Sequence, residues 1–408
     1  MTKKLSQNSE CHSDRSEESD ILLGQTLRFA QGDKSEIVSK PTKAYIGIGS
    51  NLGDRQEYVE SSVKMLGGAP ELRLLRVSEI IETAPLLDDG QPSYLNAVAE
   101  VETQLDAEGL LKALGKIEIL QGRVRKEKWG ARTIDLDLLL FGEEIINTLT
   151  LTVPHRQMLL RSFVLRGLCE LDAELTHPVL GVTVGELAKR LNGGDFALAA
   201  DLPQLVCVSG VIGVGKTTLA EKLAKELGCR ILREPYDTNP FMPKVYAGRT
   251  ELALDSQLYF LTGRIKQLDR RSLAPGQVVV SDYVFDKELI YAGRLLNAEQ
   301  LSLYKDIHQR LRSMPAPPVL VIYLRDSAQT CLERIRNRNR PYEQRIEIGF
   351  LEALIGDYER LFAEWKTCPV IRLRSSDIDY GDSATIENIA NQVRYYTTME
   401  AVGVCKGA

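Results

Sequence analysis

Apolar positions in the first half of the chain follow two spacings in turn, one typical of strands and one typical of helices. An apolar strand begins at Ala44, and helix signals follow from Asp54, with Tyr58, Val63 and Leu66 spaced for one face. The remaining predicted elements are strands near 72–83, 94–103 and 133–141 and a helix near 106–121. This β-α-β-β-α-β order is typical of a ferredoxin-like α+β domain.

The second half has a different pattern, in which continuous apolar runs alternate with helical patterns. The apolar runs cover 205–209, 278–280, 319–324 and 370–373. Buried strands alternating with helices predict an α/β domain with a parallel sheet covered on both faces. Turn-forming residues lie between the halves, at Asn192-Gly193-Gly194-Asp195 and Asp201-Leu202-Pro203. We therefore predict domains over 44–191 and 204–398, a linker over 192–203 and a tail over 399–408.

Residues 1–43 are polar and show no sustained apolar period, which predicts a disordered extension. No apolar run approaches the roughly 20 residues of a membrane span. The seven cysteines form no Cys-x-x-Cys pair. This favours reduced thiols and a cytoplasmic protein over disulfides or a zinc site. The net charge of −5 argues against a protein that binds nucleic acid through its overall charge.

An acidic pair lies on the last predicted strand of the first domain. Asp135 and Asp137 occupy alternate positions, so their carboxylates lie on one face of that strand. Five cations precede them, namely Arg123, Arg125, Lys126, Lys128 and Arg132. Magnesium is commonly shared between carboxylates and substrate phosphates, and arginines bind polyphosphate well. We favour a magnesium–polyphosphate site over the alternative, a surface strand beside a solvated basic loop.

The residues around this pair also resemble a known signature, that of the hydroxymethyldihydropterin pyrophosphokinases of folate biosynthesis. The similarity covers about residues 44–191. It is carried by the segments Lys128 to Leu139, Gly47 to Asp54, Thr83 to Leu86, Tyr94 to Asn96 and Val153 to His155. The resemblance implies transfer of pyrophosphate from ATP to the hydroxymethyl group of the pterin, with two magnesium ions.

The same resemblance implies roles for individual positions. Asp135 and Asp137 match the metal-binding carboxylates, and Arg123 and Arg132 match catalytic arginines. The implied pterin-binding residues are Thr83, Leu86, Tyr94, Asn96 and Phe163, with Tyr94 and Phe163 on either side of the ring. The implied ATP-binding residues are Arg125, Trp129, His155 and Arg161. Tyr94 and Asn96 share one strand face, which offers a stacking plane and a polar group together.

A glycine-rich segment follows the first strand of the second domain. Gly210-Val211-Ile212-Gly213-Val214-Gly215-Lys216-Thr217 fits the phosphate-loop pattern G-x-x-x-x-G-K-[ST], and a helix follows directly. Backbone N–H groups of such a loop surround the phosphates, Lys216 reaches the outer phosphates and Thr217 holds magnesium. The predicted ATP contacts are Gly210, Gly213, Gly215, Lys216, Thr217 and Thr218. A plain glycine-rich turn is the weaker alternative.

Three later features concern the acceptor and the lid. Glu234 follows a short strand, Gln257 lies on a helix, and four alternating arginines lie between 334 and 340. These residues resemble the deoxynucleoside kinase family over about 204–395. The resemblance implies Glu234 as catalytic base, Gln257 as the base-reading residue, Tyr246 and Glu343 near the sugar, and Arg334, Arg336 and Arg338 as ATP-binding lid residues.

The chain departs from this family at one segment. Where many members have Glu-Arg-Ser, it has Ser281-Asp282-Tyr283. Asp282 is therefore predicted to hold magnesium with Thr217, and no arginine replaces that of the family. A homodimer through this domain is a further expectation.

We therefore predict a bifunctional ATP-dependent transferase that acts on a hydroxymethyldihydropterin and on the 5′-hydroxyl of a deoxynucleoside. Two magnesium ions are expected in the first site and one in the second. Two alternatives stay open for the second domain. One is a nucleotide-binding regulatory module, and the other is a nucleoside monophosphate kinase.

Overall fold

The computed structural model describes residues 40–86, 90–123, 130–198 and 200–397. The described residues from Pro41 onward form one compact unit that contains two five-stranded sheets. Among these described residues, no helix has both the length and the apolar character needed to cross a membrane.

The first sheet is antiparallel and is covered by two helices. Its strands run in the order β2-β4-β1-β5, and β3 pairs with β4 beside β2. The strands are β1 (Thr42–Ser50), β2 (Leu72–Val77), β3 (Ile81–Thr83), β4 (Tyr94–Thr103) and β5 (Asp135–Phe141), and the helices are α1 (Arg55–Gly68) and α2 (Ala107–Leu120). Val59, Leu66, Leu110 and Leu114 from the two helices are fully buried, as the helical spacing of these apolar positions requires.

The apolar run over 72–83, predicted as one strand, forms two strands in the structure. Ser78 separates β2 from β3 because its hydroxyl takes part in the pairing with β4. The Ser78 Oγ accepts a hydrogen bond from the Val98 N–H at 2.9 Å, and the Ser78 N–H donates to the Val98 carbonyl at 2.9 Å. The side chain thus replaces one backbone partner, and the strand is interrupted there.

A smaller group of elements follows the first sheet. These are β6 (Ile146–Asn147), β7 (Thr152–Val153), a 3-10 helix (Arg156–Leu160), α3 (Ser162–Asp172), β8 (Thr176–His177), β9 (Val182–Thr183) and α4 (Val184–Leu191). Helix α3 packs closely on β4 at Gly167, where an added Cβ would lie 2.6 Å from Val98 Cγ2. This close approach positions the start of α3 beside the first sheet.

The second sheet is parallel, and the prediction of an α/β fold for this half is confirmed. Its strand order is β11-β12-β10-β13-β14, with helices between the strands. The strands are β10 (Gln204–Ser209), β11 (Arg230–Leu232), β12 (Val278–Ser281), β13 (Leu320–Arg325) and β14 (Val370–Arg374). The helices are α5 (Lys216–Glu226), α6 (Met242–Tyr246), α7 (Ala253–Leu268), α8 (Glu288–Leu295), α9 (Ala298–Leu311), α10 (Ala328–Arg338), α11 (Ile348–Ala363) and α12 (Ser383–Tyr396). Short 3-10 helices cover Thr250–Leu252, Phe285–Lys287, Pro341–Glu343 and Ser375–Asp377.

The two halves share a buried contact between α4 and α12. Arg190 is 8% exposed, and its Nη2 donates to the Gln392 Oε1 at 2.7 Å. Its guanidinium also lies 5.8 Å from the centre of the Tyr396 ring. Apolar side chains of both halves belong to one continuous buried cluster. This contact therefore combines apolar packing with a satisfied buried cation.

His177 lies at the same junction and gives a prediction about acid stability. Its side chain is fully buried, its Nδ1 accepts from the N–H groups of Val179 and Leu180, and its ring meets that of Tyr395 edge-on. Burial lowers the pKa of the imidazole to about 4, and the positive charge of Arg190 acts in the same direction. The folded chain thus keeps His177 neutral, whereas the unfolded chain binds a proton below about pH 6.5.

We expect this group to reduce the free energy of unfolding as the pH falls from about 6.5 to about 4, by about 3 kcal/mol in total. Urea unfolding at pH 7 and pH 4.5 measures the effect. The variant His177→Asn, which keeps an acceptor but cannot take up the proton, is expected to lose less stability between these pH values. An equal loss in both proteins contradicts the assignment.

Candidate functional sites

The first cavity, of about 160 Å³, opens where β1, β4 and β5 meet the start of α3. Most residues predicted for a pterin and ATP site line it. These are Thr83, Leu86, Tyr94, Asn96, Arg132, Asp135, Asp137, His155, Arg161 and Phe163. They come from strands β3, β4 and β5, from the start of α3 and from four connecting segments. The fold therefore brings together residues separated by up to 80 positions in the sequence.

Asp135 and Asp137 project from β5 into this cavity. Arg132 Nη1 lies 2.5 Å from Asp135 Oδ2, and Arg123 Nη1 lies 2.6 Å from Asp135 Oδ1. Two arginines thus neutralise one carboxylate. Asp137 remains open to the cavity, but the surrounding protein limits its hydration. That desolvation, followed by the negative charge of Asp135, raises the pKa of Asp137 to about 6.

The wall formed by β4 and the start of α3 carries aromatic and amide groups. Asn96 is almost fully buried, and its Nδ2 donates to Thr83 Oγ1 at 2.8 Å. The Tyr94 hydroxyl donates to Gln91 Oε1 at 3.1 Å. Phe163, at the start of α3, also borders the cavity. The wall therefore offers apolar ring faces together with a fixed amide, which suits a flat, polar heterocycle.

Three predicted residues do not line the described cavity. Arg125 and Trp129 lie outside the described residues. Arg123 is described. It does not border the cavity itself, but it forms ion pairs with Asp135, which does, and with Glu118.

Glu118 was not anticipated from the sequence. It lies on the buried side of α2, is 4% exposed, and its Oε1 accepts from the Leu136 N–H at 2.9 Å. It also pairs with Arg123. A glutamate next to Ile117 on the apolar face of a helix was the available signal, because a buried carboxylate requires a partner.

The second cavity, of about 300 Å³, lies at the carboxyl ends of the strands of the parallel sheet. The phosphate loop forms one side of it. Gly210 has φ 141° and Gly213 has φ 83°, both in the region that favours glycine. A Cβ at these positions would lie 2.4 Å from the Leu324 carbonyl oxygen and 2.5 Å from that of Cys331. The loop conformation therefore depends on these glycines.

Lys216, Thr217 and Thr218 follow the loop at the start of α5 and line the cavity. Lys216 Nζ donates to the Val211 carbonyl at 2.9 Å, and burial lowers its pKa to about 8. Thr217 Oγ1 donates to Asp282 Oδ2 at 2.7 Å, and Asp282 Oδ1 accepts from the Glu234 N–H at 2.8 Å. Asp282 thus links the helix start to the predicted base.

The side chain of Glu234 is held by two buried cations. Lys287 Nζ lies 2.5 Å from Glu234 Oε2, and Arg264 contacts Glu234 Oε1. Burial alone would raise the pKa of Glu234, but the charges of Lys287 and Arg264 outweigh this effect and hold the pKa well below its usual range. The segment Ser281-Asp282-Tyr283 contains no arginine, and the two cations beside Glu234, Arg264 and Lys287, come from other parts of the chain.

Sequence reasoning missed both cations. Arg264 lies seven residues after Gln257 on α7, so the two side chains share a helix face, and both are buried at the cavity. Arg264 also pairs with the buried Glu288, which follows Lys287. Burial of a charged residue is unusual without a partner, so this network fixes the wall of the cavity.

The predicted nucleoside-binding residues meet on the far side of the cavity. Gln257 is 3% exposed and Glu343 is 6% exposed, and both border the cavity together with Tyr246, the last residue of α6. The rings of Tyr246 and Tyr342 are 6.2 Å apart. These groups give the cavity an amide, a carboxylate and aromatic faces.

The four alternating arginines have different surroundings. Arg338 borders the cavity and pairs with Glu343 at 2.6 Å, and Arg340 borders it with its guanidinium 4.3 Å from the centre of the Tyr236 ring. Arg334 lies beside the phosphate loop, with Nη1 3.1 Å from Asp326 Oδ2. Arg336 points away from the cavity and donates to backbone carbonyls, including that of Ile346 at 2.8 Å.

Both sites offer oxygen donors of the kind that magnesium prefers. The described part of the chain contains no group of three or more His, Cys, Asp or Glu side chains arranged for a metal ion. The donors are Asp135 and Asp137 in the first cavity and Thr217 with Asp282 in the second. This set fits Mg²⁺, which binds one or two carboxylates and completes its coordination with water and substrate phosphates.

Comparisons with known proteins match the two halves separately. A family model described as 7,8-dihydro-6-hydroxymethylpterin-pyrophosphokinase matches residues 45–173, and one described as deoxynucleoside kinase matches residues 206–397. The 2-amino-4-hydroxy-6-hydroxymethyldihydropteridine pyrophosphokinase of Haemophilus influenzae is 43% identical over 135 residues, which is 33% of this chain and 84% of that protein.

The second half is similar to the deoxyguanosine kinase of Bacillus subtilis. The two are 40% identical over 157 residues, which is 38% of this chain and 76% of that protein. A solved structure of deoxyadenosine kinase from M. mycoides is 26% identical and covers 47% of this chain and 98% of that one, with a TM-score of 0.41.

Proposed function

The chain belongs to the 7,8-dihydro-6-hydroxymethylpterin pyrophosphokinase family over residues 45–173 and to the deoxynucleoside kinase family over residues 206–397. We propose that each of its two cavities catalyses one of the two transfer reactions. The chain is a bifunctional ATP-dependent transferase. The first cavity transfers pyrophosphate from ATP to 6-hydroxymethyl-7,8-dihydropterin. The second transfers a single phosphoryl group to the 5′-hydroxyl of a deoxynucleoside. The observation that carries this division is the presence of two separate acid and cation clusters, around Asp135 and around Glu234.

In the first cavity, the pterin ring lies between Tyr94 and Phe163, and Asn96 and Thr83 read its polar edge. Leu86 closes the apolar side. This arrangement holds the hydroxymethyl oxygen near the β-phosphorus of ATP. Transfer of a phosphoryl-type group depends mostly on such positioning and on charge stabilisation.

The cations around Asp135 stabilise the charge that develops as the bond between the α- and β-phosphates breaks. Arg123 and Arg132 lie beside Asp135, and Arg161 and His155 border the space for the polyphosphate. Arg125 and Trp129 are proposed as further ATP contacts. Asp135 and Asp137 would hold two magnesium ions, which neutralise the negative charge of the polyphosphate.

In the second cavity, Gly210, Gly213 and Gly215 allow backbone N–H groups to surround the phosphates of ATP. Lys216 reaches the outer phosphates, and Thr218, which also borders the cavity, is a further ATP contact. Thr217 and Asp282 would hold one magnesium ion. The lid arginines Arg334, Arg336 and Arg338 are proposed to act on the phosphates when the lid closes, although Arg336 has backbone partners in this conformation.

Glu234 accepts the proton of the 5′-hydroxyl as the new bond between oxygen and phosphorus forms. Its carboxylate stays ionised because Lys287 and Arg264 lie against it. A strong base is not needed, because the proton leaves late in a loose transition state. Gln257 reads the base, and Tyr246 and Glu343 contact the sugar. A module that only binds nucleotide has no use for this acceptor-side machinery.

We propose deoxyguanosine as the preferred acceptor, on the ground that the Bacillus subtilis relative at 40% identity is a deoxyguanosine kinase. The test is to assay the purified chain with ATP and each of the four deoxynucleosides, and with dGMP. The highest kcat/KM is expected with deoxyguanosine. Phosphorylation of dGMP but of no deoxynucleoside supports the monophosphate kinase alternative. Phosphorylation of no acceptor supports the regulatory module.

Several broader predictions belong to the same proposal. The strand order β2-β4-β1-β5 supports a ferredoxin-like first domain. The change from an antiparallel to a parallel sheet supports a boundary within residues 192–203. A homodimer through the second domain and a cytoplasmic location remain predictions.

A further inference from the structure

The segment 192–196 follows α4 and leads towards the second sheet. It contacts residues that are distant in sequence, both at the start of α3 and in the second half of the chain. Asp195 lines the first cavity together with Arg161, Phe163 and Leu86. The match to the pyrophosphokinase family model ends at residue 173, so Asp195 lies beyond it. A residue of the predicted linker thus forms part of the wall of the pterin site.

This segment holds the backbone on both sides of Arg161. Asp195 Oδ1 accepts from the Ser162 N–H at 2.5 Å, and the Phe196 N–H donates to the Leu160 carbonyl at 2.8 Å. A carboxylate at the first N–H groups of a helix is favourable, because those groups lack partners within the helix and carry partial positive charge. The two hydrogen bonds therefore fix the point at which α3 begins.

The side chains on either side of this point face the cavity. Arg161 precedes α3, and Phe163 is its second residue. A rotation or shift of the helix start would move both. Burial lowers the pKa of Arg161, and the charge of Asp195 is the largest influence in the opposite direction. The carboxylate of Asp195 thus stabilises the positive charge of Arg161 as well as the start of α3.

The other end of the segment is fixed by the second half of the chain. Asn192 Nδ2 donates to the carbonyls of Phe362 and Trp365, each at 3.1 Å, and Asn192 Oδ1 accepts from Arg372 Nη2 at 3.1 Å. Asn192 has φ 47°, a left-handed conformation that asparagine tolerates better than most residues. Only Gly193 and Gly194 separate this anchor from Asp195.

We propose that Asp195 is a positioning residue of the pterin site, and that the contact of Asn192 with the second half holds it in place. This inference rests on the proposed pterin pyrophosphokinase activity of the first cavity. Asp195 acts through other groups: it places Phe163 against the ring and Arg161 against the polyphosphate. The second half of the chain thereby helps to position residues of the pterin site, although it takes no part in the pyrophosphate transfer.

The test compares steady-state kinetics of the full chain and of Asp195→Ala, with deoxynucleoside phosphorylation in the same preparation as an internal control. We expect the KM for the pterin to rise about 10-fold, as for loss of a charge-assisted hydrogen bond that orders the site. Deoxynucleoside phosphorylation is expected to stay unchanged. The matched control is Asp201→Ala, which removes an exposed acid from the same linker.

Two further variants separate positioning from folding. Asp195→Asn keeps an oxygen acceptor for Ser162 but removes the charge, so the pterin KM is expected to stay near that of the wild type while the KM for ATP rises. Asn192→Ala is expected to raise the pterin KM in the same direction as Asp195→Ala, but less. A lower kcat with unchanged KM values in all three variants indicates lost folded protein and overturns the proposal.

The outcome is also distinct from a failure of the proposed function. If the wild-type chain forms no pterin diphosphate, the assignment of the first cavity is wrong, and the role of Asp195 falls with it. If the wild type is active and Asp195→Ala has the wild-type KM for the pterin and for ATP, only the positioning role is overturned.

Discussion

Replacing Asp135 by alanine is expected to lower kcat/KM for pterin pyrophosphorylation at least about 1,000-fold, equivalent to about 4 kcal/mol of transition-state stabilisation. The loss is large because Asp135 has two roles. It is one of the two carboxylates proposed to hold magnesium, and it orients Arg123 and Arg132, which lie within 2.6 Å of its oxygens. Phosphorylation of a deoxynucleoside by the same preparation is expected to remain at the wild-type level.

The assay follows pterin diphosphate formation at saturating Mg²⁺ and ATP. A suitable control is Glu143→Ala, because Glu143 is an exposed acid in the turn directly after β5. It is expected to behave as the wild type in both assays. If Asp135→Ala retains more than about a tenth of the wild-type kcat/KM, Asp135 does not carry the metal role that the proposal gives it.

Replacing Lys216 by alanine is expected to produce the opposite result. Deoxynucleoside phosphorylation should fall by about 100- to 1,000-fold, as is usual when one preorganised charge contact to the transition state is removed. Lys216 is placed for this role by the phosphate loop and by its position at the first residue of α5. Its ammonium group borders the second cavity and donates a hydrogen bond to the Val211 carbonyl of the loop. Pterin pyrophosphorylation is expected to be unchanged.

Lys225→Ala is the matched control for this variant, because Lys225 is an exposed lysine on the same helix. The comparison requires the rates of both reactions for each protein. A parallel loss of both activities in Lys216→Ala would show that the two sites depend on each other or that the variant does not fold.

The local motifs of both sites were accessible from the sequence because their chemistry lies within short segments. The glycine pattern from Gly210 to Thr217 and the alternate carboxylates of β5 are such cases. The parallel sheet was accessible because buried parallel strands produce continuous apolar runs. The ferredoxin-like character of the first domain stays a prediction.

The partners of these motifs were not accessible, because they are distant in sequence. Lys287 reaches Glu234 across 53 positions, and Asp195 reaches Ser162 across 33. Nothing in the local pattern of either residue distinguishes it from an ordinary surface charge. The division of the run over 72–83 has a similar origin, since Ser78 pairs with Val98 on a strand 20 residues away.

The central claim, that one chain contains two different ATP-dependent transfer sites, is tested most directly by the nucleotide product of each reaction. Pyrophosphate transfer releases AMP from ATP, whereas single phosphoryl transfer releases ADP. The measurement is AMP and ADP formation by the purified full chain with the pterin alone, deoxyguanosine alone, or both. We predict AMP in proportion to pterin consumed, ADP in proportion to deoxyguanosine consumed, and both products when both acceptors are present. Failure of either product to follow its own acceptor would contradict the claim.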